Sequence, residues 1–429
     1  MRAHIKTYGC TLNQADSDIM QGLLERDGVE MVDNTSDADV VIVNTCTVKG
    51  PTEQKILHTL RSLEKKGKRV VVAGCMASAN QDLIEIHAPT ASVITTQNVE
   101  KISKAVEETA KGKRAVCNSS NRADKLMFLG AKESVIAKVP VSEGCLSSCS
   151  FCETKFARGP LNSFSEDRIV GAVEMCARMG AKEIQLTSQD MGAYGLDRRT
   201  NIAKLMERLS HIEGDFKIRV GMLNPEHLGR YLDGFADAML SGRFYKFAHL
   251  PVQSGSDKVL MDMKRMYTVE QFNEQVAFLR SKIPDITIET DIIVGFPTEG
   301  EEDFEQTLDF VKDTRPNVVN MCRFWARPHA SATKMKQLPN EVIVRRSAEL
   351  GRIVRHVQKG INDTFLGRVM EVVATEKEET SINARAVNYK KVILKSASRV
   401  SLGDKLKVRI DSSSCNVLYG EPMQAIAVV

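Results

Sequence analysis

Through residue 330 the chain repeats one pattern: a short apolar run, then a longer stretch with helical periodicity. In residues 1–115 the runs are His4–Tyr8, Asp39–Asn44 and Val70–Ala73, with a helix predicted over Ser17–Arg26. In residues 135–330 they are Lys138–Val141, Glu183–Thr187, Lys217–Val220, Tyr245–Leu250, Thr287–Val294 and Val318–Phe324. Runs this short between helical stretches predict strands joined by crossovers, hence parallel sheets covered by helices. The fold class is therefore α/β. Six strand–helix units are too few for a complete eight-stranded barrel and predict an open, partial (β/α)6 barrel, with its active face at the carboxyl ends of the strands. One helix of that region starts at Ser165, an N-cap residue followed by Glu166 and Asp167, with Ile169, Val173 and Cys176 on its apolar face.

The pattern changes after residue 361. Val369, Glu371 and Val373 alternate, as do Lys405, Lys407 and Arg409 against Leu406, Val408 and Ile410, with Gly403-Asp404 as a turn. This predicts a small antiparallel β-barrel. Three regions follow: an N-terminal α/β domain over 1–115, the partial barrel with a connecting helix over 135–361, and the β-barrel over 365–429. Residues 111–134 read as a polar connection. Residues 341–361, with Arg345, Arg346, Arg352, Arg355 and Lys359, read as a solvated basic helix.

Hydrophobic residues are 42% and charged residues 27% of the 429, which excludes a largely disordered chain. No apolar run approaches the roughly 18 residues of a membrane span, and no leader is recognisable at the N-terminus. Residues 1–115 hold 15 basic and 15 acidic side chains, while residues 365–429 hold 10 and 7, so most of the net +4 lies at the C-terminal end. That tilt hints at an anionic partner for the last domain. A chain without an export signal is expected in the reducing cytoplasm, where its ten cysteines bind metals, react or are simply buried.

Two cysteine groups carry the chemistry. Cys145, Cys149 and Cys152 lie within eight residues, in the loop after the first barrel strand. Soft thiolates so close together select zinc or iron–sulfur. A structural zinc wants four ligands, and three leave one metal position open. The alternatives are a zinc knuckle completed from elsewhere, or buried thiols. Cys10, Cys46 and Cys75 are far apart in sequence, yet each follows a predicted strand, so a parallel sheet would bring them to one edge. Two of them follow glycine. Here a cluster and three buried thiols stand equal. Cys176 and Cys322 read as core, Cys117 and Cys415 carry no ligand spacing, and His249 reads as structural. Gln253, Ser254 and Asp291 fall at strand ends on the active face, where they either touch a cofactor or stabilise loops. Gly295 reads as a turn residue.

The spacing of Cys145, Cys149 and Cys152, with Phe151 before the last, resembles the radical S-adenosylmethionine (SAM) superfamily. Thr7-Tyr8-Gly9-Cys10-Thr11-Leu12-Asn13-Gln14 and Asn44-Thr45-Cys46-Thr47-Val48 resemble the N-terminal domain of the methylthiotransferases. Lys155-Phe156-Ala157-Arg158-Gly159, Leu250-Pro251-Val252-Gln253-Ser254-Gly255-Ser256 and Asp291-Ile292-Ile293-Val294-Gly295-Phe296-Pro297 resemble their radical SAM domain. The β-rich end is similar to their TRAM domain, an RNA-binding barrel. Within this family Lys155…Gly159 and Thr187-Ser188-Gln189-Asp190-Met191-Gly192-Ala193-Tyr194-Gly195 look most like the archaeal and eukaryotic enzymes that act on threonylcarbamoyladenosine in tRNA. Glu153 departs from the pattern, which has a basic residue there.

The resemblance implies two [4Fe-4S] clusters, one on Cys145, Cys149 and Cys152 and an auxiliary one on Cys10, Cys46 and Cys75, facing one cavity. It places SAM on the open iron of the first, with Phe151 near the adenine. Gln253, Ser254 and Asp291 are candidate cofactor contacts by position. One-electron cleavage of SAM demands a potential toward the bottom of the range of about −700 to +450 mV, hence a donor such as ferredoxin or flavodoxin. The radical so formed would take hydrogen from C2 of N6-threonylcarbamoyladenosine at position 37, and a methylthio group would follow from the auxiliary cluster. An anticodon loop offers unstacked bases. Arg385, Lys390, Lys391 and Lys395 are candidate phosphate contacts, and few aromatics in the last domain (Phe365, Tyr389, Tyr419) favour backbone contacts. Two alternatives are a ribosomal-protein side chain as substrate, and a zinc-stabilised RNA-binding protein without enzymatic activity. The sequence does not specify the oligomeric state.

Overall fold

The protein is described here by a computed structural model covering residues 1–47, 50–120, 122–130, 133–395 and 400–423. Val48 of the quoted motif and Asn121 of the polar connection lie outside the described residues. The strands, in chain order, are β1 Arg2–Thr7, β2 Glu30–Met31, β3 Val40–Thr45, β4 Arg69–Gly74, β5 Ser92–Ile94 and β6 Val116–Cys117 in the first domain. They form one parallel sheet in the order β2-β1-β3-β4-β5-β6. Every residue of β3 is buried because both faces are covered. Val41, Val43, Val70 and Val72 pack under the Gly50–Lys65 helix through Ile56, Leu57 and Leu60. Val40, Ile42, Val71 and Ala73 face the Thr11–Arg26 and Ile102–Ala110 helices through Ile19, Leu23 and Val106. The alternation is the period-two geometry of a strand.

Three strands were legible from apolar runs; β2, β5 and β6, two or three residues each, were not. The polar connection is therefore corrected in two places. Val116–Cys117 adds the edge strand beside β5, and Lys125, from the short turn Lys125–Phe128, is buried between domains.

The second region holds β7 Ile136–Pro140, a small ladder of β8 Ser142–Glu143 and β9 Asn162–Ser163, then β10 Glu183–Thr187, β11 Lys217–Arg219, β12 Phe247–His249, β13 Thr287–Val294 and β14 Val318–Arg323. Strands β7, β10 and β11 form one parallel sheet and β12, β13 and β14 another. A single parallel bridge, Ile218 to Phe244, joins the halves. The six strands curve into the expected open barrel. Ile184, Leu186, Ile218, Ala248, Ile288 and Ile292 point outward to the helices. The alternate positions, among them Glu183, Gln185, Arg219, His249, Glu289 and Asp291, therefore line the lumen. Ile169, Val173 and Cys176 are buried on the Glu166–Arg178 helix as the pattern predicts.

The Asn340–Asp363 helix corrects the solvated reading. Leu350, Val354 and Val357 join the barrel core, and Arg346 is buried in ion pairs with Glu299 and Glu301 at 2.7 and 2.8 Å. No helix among the described residues is long and apolar enough to cross a membrane.

The last domain is a closed five-stranded barrel of β15 Val369–Lys377, β16 Ile382–Ala386, β17 Lys391–Leu394, β18 Lys405–Ser413 and β19 Leu418–Pro422. One pair, β17 with β19, is parallel rather than antiparallel. The hairpin tip between β16 and β17 enters the amino end of the larger barrel. Tyr389 packs on Tyr245 and Phe247, and its hydroxyl donates to the wholly buried Glu183 at 2.9 Å. Arg385 stacks on the Tyr389 ring and lies 3.7 Å from Glu183. The small barrel thus plugs the floor of the lumen.

Candidate active site

The first cysteine trio is built at the carboxyl ends of neighbouring strands. Cys10 follows β1, Cys46 follows β3 and Cys75 follows β4, and these strands are adjacent in the order β1-β3-β4. Gly9 and Gly74 have φ of 104° and 89°. A Cβ on Gly9 would stand 2.8 Å from the Cβ of Cys46, and one on Gly74 2.3 Å from Asn44 Oδ1. Only glycine permits both the backbone turn and the approach. Asn13 fastens two of the loops, its Nδ2 donating to Tyr8 O at 2.8 Å and Thr45 O at 2.7 Å. Asn44 in turn donates to Asn13 O at 2.7 Å. Cys46 and Cys75 are buried and Cys10 is exposed, so the trio opens at one side.

The second trio sits in the loop after β8. Cys145 N donates to Gly159 O at 3.1 Å, and Ser150 ties the loop to Met263 O and Asp262 O at 3.0 and 2.7 Å. Ser147 Oγ accepts from Asn224 at 3.2 Å and lies 3.4 Å from His227. Asp190, at the end of β10, accepts from the amides of Gly192 and Asn224 at 2.9 and 3.0 Å. Burial, then Asp190 and the neighbouring thiols, push the Cys145 thiol up to about 12. Burial also raises Cys152 and Cys75.

The helix Thr154–Arg158, immediately after Cys152, packs on the helix Cys75–Ala79 through Ala157. Arg158 is the central group of this contact. Its Nε donates to Cys75 Sγ at 3.4 Å, Nη1 to Glu143 at 2.9 Å, and Nη2 to Asp16 at 2.7 Å and to Asn13. Lys125 completes the set, on Asp16 at 2.6 Å and on Glu143. Two buried cations thus face two buried carboxylates, which is how charge survives in an interior. Burial alone would raise the Asp16 carboxyl, but Arg158 and Lys125 outweigh it and hold it below its ordinary range. A second arginine serves the other trio. Arg265 donates to Cys149 Sγ at 3.6 Å and to Pro251 O at 3.0 Å.

Asp291 lies in the lumen, 3.1 Å from His249 and accepting from Asn320 at 2.9 Å. Glu289 lies on the other side of the imidazole at 3.6 Å. Burial lowers His249, yet its bond to Asp291 prevails and its pKa is raised. Phe151 packs at the edge of the Phe296 and Phe324 cluster. Gln253 adopts φ 75° and joins its backbone to Asp291 and Ile293, leaving only 8% of it exposed. Ser254 is wholly buried and faces Thr307 on the outer helix, which stabilises the loop. Glu153 is also buried, near Asn80, Arg327 and His329, and burial raises its carboxyl.

Two candidate RNA contacts are corrected. Lys390 is 4% exposed and donates to Asn362 at 2.7 Å, and Arg385 is engaged by Tyr389 and Glu183. Both dock the small barrel against the larger one. Lys391 lies 3.7 Å from Glu378, and Lys395 stays half-exposed at 3.5 Å from Asp411. The sequence reading gave no role to Arg158, Arg265, Asp190, Asn13 or His227. Three of these sit in quoted motifs, whereas Arg265 and His227 carry no local signal.

The donor set suits iron–sulfur clusters. Each trio offers thiols only, each has an arginine aimed at one sulfur, and buried thiols that resist ionisation need a metal's charge to become thiolates. Among the described residues no three His, Cys, Asp or Glu side chains converge where one metal ion would sit. In a four-iron cluster each cysteine binds its own iron, so the thiols of a trio need not meet at one point.

The family described as Uncharacterized protein family UPF0004 matches residues 2–96, and the Radical SAM superfamily matches residues 139–311. A relative from Archaeoglobus fulgidus, named probable threonylcarbamoyladenosine tRNA methylthiotransferase, is 42% identical over 98% of this chain and 98% of its own. One of the same name from Pyrococcus horikoshii is 39% identical over 98% and 99%. The human threonylcarbamoyladenosine tRNA methylthiotransferase is 35% identical over 98% of this chain and 73% of its own. Among solved structures, the radical S-adenosylmethionine methyltransferase TsrM from Kitasatospora setae aligns with a TM-score of 0.57 at 13% identity, covering 88% of this chain and 79% of that one. That likeness is one of fold. With identity of this level along nearly its whole length and both domain signatures in place, the chain belongs to the threonylcarbamoyladenosine tRNA methylthiotransferase family.

Proposed function

We propose that the protein adds a methylthio group to C2 of N6-threonylcarbamoyladenosine at position 37 of tRNA. The observation that carries this reading is the Arg158 contact, which locks an all-thiol trio of the N-terminal domain against the loop holding a second all-thiol trio. The relatives' names supply the substrate. Cys145, Cys149 and Cys152 would hold one [4Fe-4S] cluster with SAM, and Cys10, Cys46 and Cys75 the other. When bound, these groups supply the radical chemistry and the sulfur that no side chain can supply at an unactivated carbon.

The chain's own residues do the rest. Arg158 and Arg265 place positive charge against the sulfurs of each trio. Asp190, Asn224 and His227 fix the loop of the second trio. Lys125, Asp16 and Glu143 hold the two domains in register. Tyr389 closes the floor of the lumen, which keeps water from reactive species. His249 and Asp291, 3.1 Å apart, present an imidazole–carboxylate pair on the lumen wall, where a substrate or cofactor polar group would meet it. A low-potential donor such as ferredoxin or flavodoxin would deliver the electron. The site of action is the cytoplasm, with tRNA as the macromolecular partner.

The test is mass spectrometry of nucleosides from tRNA incubated anaerobically with the reconstituted protein, SAM, a reductant and a sulfur source. Conversion of threonylcarbamoyladenosine to its 2-methylthio form is expected. No conversion, with both clusters loaded and SAM cleaved, would overturn the reading.

A further inference from the structure

Two aromatic rings at the rim of the domain contact have one face supported by protein while much of each ring is open to water. Trp325 is the only tryptophan of the chain and is 50% exposed. It lies flat enough on the backbone at Gly50 that a Cβ there would stand 2.5 Å from the ring. Phe156 is 57% exposed and is stacked on His329, with ring centroids 3.6 Å apart and planes within 7°. His329 is itself fixed by Ala79 O at 2.9 Å. These rings are rigid supports rather than loose side chains.

Their place matters. Phe156 is on the helix that carries Ala157 and Arg158 to Cys75. Trp325 is two residues from Arg327, whose Nη1 donates to Glu53 at 2.8 Å on the Gly50–Lys65 helix. Both rings therefore border the contact between the cysteine trios. The segment 323–339 that carries Trp325 and His329 contains Arg323, Arg327, Lys334 and Lys336 and no Asp or Glu. Lys334 and Lys336 are exposed. Arg327 is spent on Glu53, but aromatic faces beside the exposed Arg323, Lys334 and Lys336 are what single-stranded nucleic acid requires, bases stacking on the rings and phosphates meeting the cations. Paired RNA hides its base faces in its own stack, so the fitting partner is an unpaired loop.

We propose that Trp325 and the Phe156–His329 pair are stacking platforms for unpaired bases that flank the modified adenosine. The proposal rests on the tRNA reading and adds which residues grip the loop. Because Trp325 is the sole tryptophan, its fluorescence reports on the site directly. The experiment titrates a synthetic anticodon stem–loop carrying threonylcarbamoyladenosine into the anaerobic, cluster-loaded protein, reading tryptophan emission and, separately, gel-shift affinity. Expected are quenching of Trp325, protection of it from iodide, and a loss of affinity of about five- to 150-fold in each of Trp325→Leu and Phe156→Leu, with iron content unchanged. A blunt duplex of equal length should neither quench nor protect. Gel-shift binding with unaltered emission and undiminished affinity in both variants would overturn the platform. Equal quenching by the duplex would overturn its preference for unpaired bases. Failure of the parent protein to bind the stem–loop at all would overturn the tRNA reading and, with it, this occupant.

Discussion

Arg158 shows how one side chain can set the architecture of a site. Its guanidinium meets a thiol of one domain, a carboxylate of the same domain and a carboxylate of the other, all out of contact with water. Arg158→Met removes one of two cations from a buried set and leaves Asp16 and Glu143 with Lys125 alone. Breaking a buried pair in this way costs about 3–5 kcal/mol. The expected result in urea denaturation is a lower midpoint, with iron lost first from the N-terminal trio. Arg158→Lys keeps the charge but not the planar fork, and a single ammonium with three donors cannot span the four acceptors the guanidinium reaches, so it should recover only part of the loss. At this scale the glycine–cysteine pairs were readable in the sequence, because strand end, turn and thiol are neighbours in the chain. Lys125 and Arg265 were not, since Asp16 and Cys149, which give them their place at the site, lie 109 and 116 residues away. Nothing local distinguishes them from any other basic residue.

Among the elements, the hairpin between β16 and β17 is basic in sequence yet spends its cations inside a docking contact. Its sequence reads as a basic, exposed turn, yet Arg385, Tyr389 and Lys390 are the part that enters the larger barrel. Charge along a chain does not reveal which way a barrel is turned. Tyr389→Ala should remove the ring from Tyr245 and Phe247 and cost about 3 kcal/mol, seen as faster proteolytic cleavage between the two barrels. Tyr389→Phe keeps the packing and loses the hydroxyl's bonds to Glu183 and from Gln185, a loss of about 1–2 kcal/mol. Lys390 gives the contact a pH signature. Burial lowers its pKa to about 8 from an ordinary 10.5. Between those values the unfolded chain binds more protons than the folded one, so stability rises with pH across that window. Below about 8 the cost of the buried charge is constant. Lys390→Met should flatten this rise, and urea midpoints of both proteins at pH 7.5, 9 and 10 measure the difference.

For the whole molecule, the question is whether the two trios are one site or two. Each is assembled by its own domain: one by the edge of a six-stranded sheet, the other by a single loop pinned to the barrel. The face containing Arg158 and the Thr154–Arg158 helix joins them, with Arg327 on Glu53 and His329 on Ala79 O at its rim. Loading of each should therefore be independent, whereas methylthio transfer should need both. With two four-iron clusters the protein would carry about eight irons. Cys145→Ala should bring this to about four and abolish reductive cleavage of SAM. Cys46→Ala should also leave about four, sparing the cluster at Cys145, Cys149 and Cys152 while no methylthio product forms. Anaerobic iron and sulfide analysis of the two variants, with methionine release as the second readout, checks both. Loss of all iron from either variant would mean that neither domain completes its cluster alone. The Arg158 contact would then be a condition of cluster assembly, rather than an alignment of two finished parts.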